Sequence, residues 1–309
     1  MTAWSRLPWL DAARGLAVAA MVAYHLVWDL GNFDYINRHF PYSLGFKSVG
    51  HGIALSFLFI AGVSLVLAHQ RDASFRPFWR RLARIVAAAL LVTLGTYLVF
   101  PESFVFFGIL HCIAAASLLA VPFLFFPWPA ALVAAAGALL APLFLTSPLF
   151  NAPWLSWVGL STTEPTTNDY QPLLPWIGGV LAGVAFAKFP GAIQAPLFAQ
   201  CAAKESARRT AAALSWLGRH SLAIYLLHQP VLFGVFLALA RLSALGEDQF
   251  AKDFAAACEM RCEADGGAIE FCQQTCLCVE RRARESVLPS DPEQRATRLQ
   301  ALAAACLGP

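Results

Sequence analysis

Four ionisable side chains interrupt the first long apolar run of this sequence, PWLDAARGLAVAAMVAYHLVWDL from Pro8 to Leu30: Asp11, Arg14, His25 and Asp29. At about 100° per residue in an α-helix, all four fall within roughly 60° of one another and form one stripe. Such groups are costly in hydrocarbon unless they face protein or water, which makes them functional candidates by default. As helix-end residues at the two interfaces, Asp11 and Asp29 need no further explanation. His25 does, because it should lie about one turn inside the membrane. An imidazole titrating near neutrality is suited to moving a proton. A carboxylate one turn further on could orient that imidazole, and the planar fork of Arg14 is suited to a carbonyl oxygen or a phosphate.

Those residues must be carried by membrane helices. The chain has 309 residues, of which 58% are hydrophobic and 13% charged, with a mean hydropathy of +0.59. Soluble domains carry about a quarter charged residues, so this composition is that of a membrane protein. Apolar runs long enough to cross about 30 Å of hydrocarbon recur. They predict seven spans at 8–30, 50–69, 83–100, 105–126, 129–146, 172–189 and 214–240. The first reads as a retained span, because no small-residue cleavage pattern follows it. The expected fold is all-α, a polytopic membrane helix bundle of about seven transmembrane helices with a small disulfide-bonded helical-hairpin tail. Strands would have to close into a barrel to satisfy their backbone in lipid.

Charge sets the expected orientation. Arg71, Arg76, Arg80, Arg81 and Arg84 fall between spans two and three, and Lys188, Lys204, Arg208, Arg209 and Arg219 between six and seven. The alternate loops hold only Arg38 and Lys47. Basic residues stay in the cytoplasm, which puts the N-terminus inside and, after an odd number of spans, the C-terminal tail outside. The division expected is a membrane-embedded domain over 1–246 and a Cys-rich tail over 247–309. The first holds 15 Lys/Arg against 8 Asp/Glu, the second 7 against 11.

The tail checks that topology independently. It carries Cys258, Cys262, Cys272, Cys276, Cys278 and Cys306, whereas the body holds only Cys112 and Cys201. Each C-x3-C pair lies on one face of a helix. Pairing Cys258 with Cys276 and Cys262 with Cys272 satisfies an antiparallel hairpin turning at Gly266-Gly267, and leaves Cys278 and Cys306 for a third bridge. Disulfides persist in the periplasm and not in the cytosol. Zinc on four thiolates is the rival, but it favours tighter knuckles or a reducing compartment. The expectation is therefore a disulfide-bonded tail with no metal.

Other polar residues sort by depth. His51 opens span two from the outside and His111 lies about two turns into span four. Asp169 and Tyr170 immediately precede span six, and Tyr225 and His228 share a stripe of span seven. Each has a plainer reading. His51 could be an interfacial histidine, and His111 could hydrogen-bond a neighbouring helix. His228 could satisfy carbonyls freed by Pro230, and Asp169 could be an ordinary loop acid. Arg80, Arg81 and Arg84 could simply be topology signals.

The segments LDAARGLAVAAMVAYHLVWDL, FLFIAGVSLVLA, FGILHCIA, DYQPLLPWIGGVLAG and LGRHSLAIYLLHQPVL, in this order, resemble the bacterial heparan-alpha-glucosaminide N-acetyltransferase catalytic-domain family of transmembrane acyltransferases. The resemblance covers about residues 5–240. It implies transfer of an acetyl or other acyl group from cytoplasmic acyl-CoA to an amine or hydroxyl of a sugar-type acceptor across the membrane, with acetyl-CoA as co-substrate and no permanently bound cofactor. Asp11 and Arg14 match the family's acid–arginine pair, and His25 a polar position that is a histidine in related acyltransferases. His51 is assigned to the histidine between the first two spans, in a shorter stretch than those enzymes have. The expected catalytic set is His25, Asp29, His51 and His111, with His25 as base or acyl carrier. Asp11, Arg14, Arg80, Arg81 and Arg84 are expected on the coenzyme, and Asp169, Tyr170, Tyr225 and His228 on the acceptor. Expected partners are membrane lipids, acyl-CoA, a glycan acceptor and a second copy of the chain, with no nucleic acid. The expected location is a bacterial inner membrane. A transporter or flippase with the same buried charges, a haem protein using His25, His111 and His228, and a scaffold whose tail docks a partner are the competing classes.

Overall fold

A computed structural model describes residues 7–193, 205–242, 245–264, 266–286 and 292–306. Eleven α-helices and no strand occur among the described residues. Contacts divide the chain into two compact units, Met1–Leu232 and Phe233–Pro309.

The first unit contains α1 (Pro8–Asn32), α2 (Leu44–Arg71), α3 (Arg76–Val99), α4 (Ile109–Leu119), α5 (Trp128–Leu145), α6 (Leu173–Lys188) and α7 (Glu205–Arg219). It also holds the first half of α8 (Ser221–Leu242). Among the described residues, five helices are long and apolar enough to cross a bilayer: α1, α2, α3, α5 and residues 221–240 of α8. Seven full spans are therefore not confirmed among the described residues. α4 has 11 residues and α6 has 16, about 16 Å and 24 Å of helix against about 30 Å of hydrocarbon. Prolines explain the shortening. Pro122 and Pro127 turn the chain soon after α4, and Pro172 precedes α6, each disfavouring helix in the residue before it. The seventh run is not one helix either, since the chain breaks at His220 between α7 and α8. Four of the five arginines assigned to the loop between spans two and three sit in the first turns of α3, and the fifth, Arg71, ends α2.

Two glycine pairs set the closest helix contacts. A Cβ on Gly15 of α1 would run into the Leu214 carbonyl of α7, and one on Gly218 into the Asp11 carbonyl. Likewise, Gly62 of α2 faces the Val180 carbonyl of α6, and Gly183 faces that of Phe59. Small residues let backbones approach this closely where apolar burial offers little drive. The core between α2 and α6 is made by Leu58, Val63, Val180 and Val184, all fully buried. The Nζ of Lys188 donates to the carbonyls of Phe123, Leu124 and Phe126, which the irregular chain between α4 and α5 leaves without helical partners.

The second unit contains α9 (Leu245–Ala264), α10 (Ile269–Glu285) and α11 (Pro292–Cys306). Disulfides join Cys258 to Cys276, Cys262 to Cys272 and Cys278 to Cys306, the pairing expected. The turn also falls where expected. Gly266 has φ +89°, a conformation that favours glycine. A Cβ on Gly267 would lie 2.6 Å from the Cys272 sulfur and 2.8 Å from that of Cys262. Cys201, Lys204 and the side chain of Arg208 lie outside the described residues.

Candidate functional site

The second half of the stripe on α1, His25 and Asp29, meets α8. The ring of His25 lies 4.8 Å from that of His228, centroid to centroid. One turn further along α1, Asp29 is fully buried, and its Oδ1 accepts a 2.9 Å hydrogen bond from Nε2 of Gln229. Two polar rungs therefore join these helices, one imidazole–imidazole and one carboxylate–amide. Asp29 bonds Gln229 and does not orient His25. His228 Nδ1 lies 2.7 Å from the Tyr225 carbonyl. A carbonyl only accepts, so Nδ1 carries the hydrogen and, in the neutral ring, Nε2 carries the lone pair. Among the described residues, His228 Nε2, Asp29 Oδ2 and Gln229 Oε1 are buried without a hydrogen-bond partner. Buried polar groups are normally paired, so three orphans on two adjacent rungs call for an explanation.

At the other end of α1 the groups are cationic. Arg14 donates through Nη1 to Asp11 Oδ1 at 3.1 Å and through Nη2 to Ser64 Oγ of α2 at 2.9 Å. Arg81 on α3 feels the like charges of Arg14 and Arg84. Arg80 and Arg84 are exposed, and Arg84 Nε donates to the Arg80 carbonyl at 3.3 Å. Like charges gathered beside a membrane core repel one another, and a polyanion such as a pyrophosphate relieves them.

His111 and Asp169 form a separate group at the start of α4. The Gly108 N–H donates to His111 Nδ1 at 3.3 Å. Thr93 Oγ1 donates to the Val105 carbonyl at 2.7 Å and so accepts from His111 Nε2 at 3.2 Å. Both nitrogens of His111 are thereby engaged. Asp169 Oδ2 accepts from the Ile109 N–H at 3.0 Å and caps the helix. A Cβ at Gly108 would run into that carboxylate. Burial pushes the Asp169 carboxyl from its ordinary 3.8 up to about 6, against the opposing pull of the Ile109 amide. The phenol of Tyr170 donates to the Ser156 carbonyl at 2.6 Å, tying together the segment that precedes α6.

His51 falls inside α2, exposed and edge-on to Trp176 of α6 at 5.2 Å, and not in the connection between the first two helices. That connection instead holds His39. It lines a cavity of about 140 Å³ together with Trp28, Gly31, Asn32, Arg38, Pro41 and Tyr42. The cavity opens at the C-terminal end of α1, directly beyond the Asp29 rung.

Sequence reasoning missed His39, Gln229 and Ser64. His39 is visible as a histidine between two apolar runs. An uncharged amide such as Gln229 within an apolar helix is also a signal, because its desolvation needs a partner.

The helices and their buried polar rungs define a polytopic membrane protein. The heparan-alpha-glucosaminide N-acetyltransferase, catalytic family matches residues 6–230, and the chain belongs to it. That membership makes the protein a membrane acetyltransferase. No curated protein and no solved structure matches the chain.

Proposed function

We propose that this chain transfers an acetyl group from acetyl-CoA, bound at the arginine end of α1, to an amine or hydroxyl of a sugar-type acceptor entering at the opposite face. The observation that carries the reading is the layout of α1 itself. Its acid–arginine pair and its histidine are separated by eleven residues, about 16 Å along the helix axis. An extended pantetheine arm bridges that distance while the phosphates of the coenzyme stay on Arg14, Arg80, Arg81 and Arg84. The thioester then reaches the His25–His228 rung. There an imidazole takes the acceptor's proton as the acyl carbon is attacked, a role that contributes about 10²–10⁴-fold. The cavity lined by Trp28, Arg38, His39 and Tyr42 offers aromatic faces and hydrogen-bonding groups to a sugar ring at the same end.

The basic residues at the α2–α3 turn and around α7 support a cytoplasmic N-terminus in a bacterial inner membrane. The three disulfides agree with a Cys-rich domain over 247–309 in the oxidising periplasm. Residues 1–246 are then the catalytic domain. Purified protein given acetyl-CoA and glucosamine should release coenzyme A thiol and form N-acetylglucosamine. Removing both imidazoles of the rung, His25→Ala with His228→Ala, should abolish transfer while the protein still inserts. Thiol release that is unaffected by the double substitution would remove the rung from the reaction.

A further inference from the structure

The geometry points to His228, through its Nε2, as the group that takes the acceptor's proton, with His25 packed beside it as the neighbouring imidazole. This rests on the acyl-transfer reading above and assigns within it a role that the stripe on α1 had suggested for His25.

The argument is one of tautomers. The Tyr225 carbonyl, 2.7 Å from Nδ1, fixes the hydrogen of His228 on that nitrogen. The lone pair is then on Nε2, which is buried and has no hydrogen-bond partner among the described residues. A base needs one nitrogen held as donor and a lone pair on the other that no protein group occupies. A main-chain carbonyl here does what a carboxylate does in hydrolase triads, and it also steadies the imidazolium that forms. His111, by contrast, has a hydrogen bond on each nitrogen and no lone pair to give. The titratable groups against the His228 ring are His25 from α1 and Tyr225 from its own helix. Asp29 stands one turn along α1 on the adjacent rung, held by Gln229.

The step balances without a further reactant. The acceptor N–H or O–H gives its proton to His228 Nε2 as the nitrogen or oxygen bonds the acyl carbon. The carbon–sulfur bond breaks, and its electron pair leaves on the coenzyme A thiolate. That thiolate then takes the proton from His228, which restores the neutral ring and releases the thiol.

His228→Asn is the informative variant, because an amide nitrogen near the Nδ1 position retains the donation to Tyr225 while the lone pair of Nε2 is lost. With detergent-purified full chain, acetyl-CoA and glucosamine, we expect kcat to fall about 10²–10⁴-fold, with acetyl-CoA binding unchanged and the acidic limb of the kcat/KM profile gone. His25→Asn should cost less and retain that limb. A His228→Asn protein that keeps kcat within a few-fold of wild type, or keeps the acidic limb, overturns the assignment. Wild-type protein that neither binds acetyl-CoA nor acetylates glucosamine overturns the underlying reading as well. A second measurement does not depend on the folding of a variant. Diethyl pyrocarbonate treatment of the wild type should inactivate it in step with modification of His228, mapped by mass spectrometry. Inactivation with His228 unmodified overturns the assignment.

Discussion

The Asp29–Gln229 rung is where the structure makes its sharpest energetic demand. Asp29 is fully buried, with Oδ1 on the Gln229 amide and Oδ2 unpartnered. Gln229→Leu would leave both carboxylate oxygens without a protein donor. Stranding a buried acceptor costs about 1–3 kcal/mol, toward the upper end for a charged group. Asp29→Ala would strand the amide instead, at about 1 kcal/mol, because an amide has a smaller desolvation penalty. Interhelical hydrogen bonds in membranes average about 0.6 kcal/mol and reach about 1.7 in double-mutant cycles. A fully buried carboxylate acceptor belongs at the top of that range, so the expected coupling is about 1–1.7 kcal/mol. The assay is reversible unfolding in dodecyl maltoside with increasing dodecyl sulfate, followed by circular dichroism, on wild type, both single variants and the double variant. Effects that add within about 0.5 kcal/mol would mean that the rung does not join α1 to α8, and the placement of His25 against His228 would lose its support.

Three further outcomes are expected. Gly183→Ala forces a methyl against the Phe59 carbonyl and should cost about 1–3 kcal/mol in the same unfolding assay; a neutral effect would mean that α2 and α6 are not so closely packed. Asp169 binds its proton more tightly in the folded than in the unfolded chain, 3.8 rising to about 6, so its contribution to stability is fully present below pH 3.8 and lost as pH rises through 6. At about 1.4 kcal/mol per unit the full change is about 3 kcal/mol, and Tm of Asp169→Asn minus Tm of wild type should increase between pH 4 and pH 8; a flat difference would contradict that shift. Reduction should expose the hairpin of α9 and α10 to protease, since closing loops of 18 and 10 residues contributes about 3 kcal/mol each in the chain-entropy estimate; equal resistance with and without reductant would show that the bridges are dispensable there.

Much of this was legible in the sequence, for identifiable reasons. The stripe on α1 could be read because charged residues in an apolar run have so few tolerable placements, and its His25 and Asp29 do meet His228 and Gln229 of α8. The disulfide pairing could be read because two C-x3-C pairs around a glycine turn admit one antiparallel register. Span lengths were not legible. Hydropathy over 105–126 and 172–189 is high throughout, but prolines and a capping carboxylate from Asp169 decide where α4 and α6 begin and end. His111 looks identical in sequence to a free base, and only the placement of Thr93 and Gly108 shows both its nitrogens engaged. Gln229 was overlooked because an amide carries no charge, although burying it demands a partner as a carboxylate does. His39 was overlooked although it stands between the first two apolar runs, where α1 ends at Asn32 and α2 begins at Leu44.

The most direct test of the central claim uses protein reconstituted in one orientation in sealed vesicles, with labelled acetyl-CoA on one side and glucosamine on the other. Labelled N-acetylglucosamine should form when the coenzyme is on the face carrying Arg14 and Arg81 and the amine on the face of the Trp28–His39 cavity. No product should form with the two exchanged. Equal transfer in both arrangements, or none in either, would contradict a thioester reaching from one end of α1 to the histidines near the other.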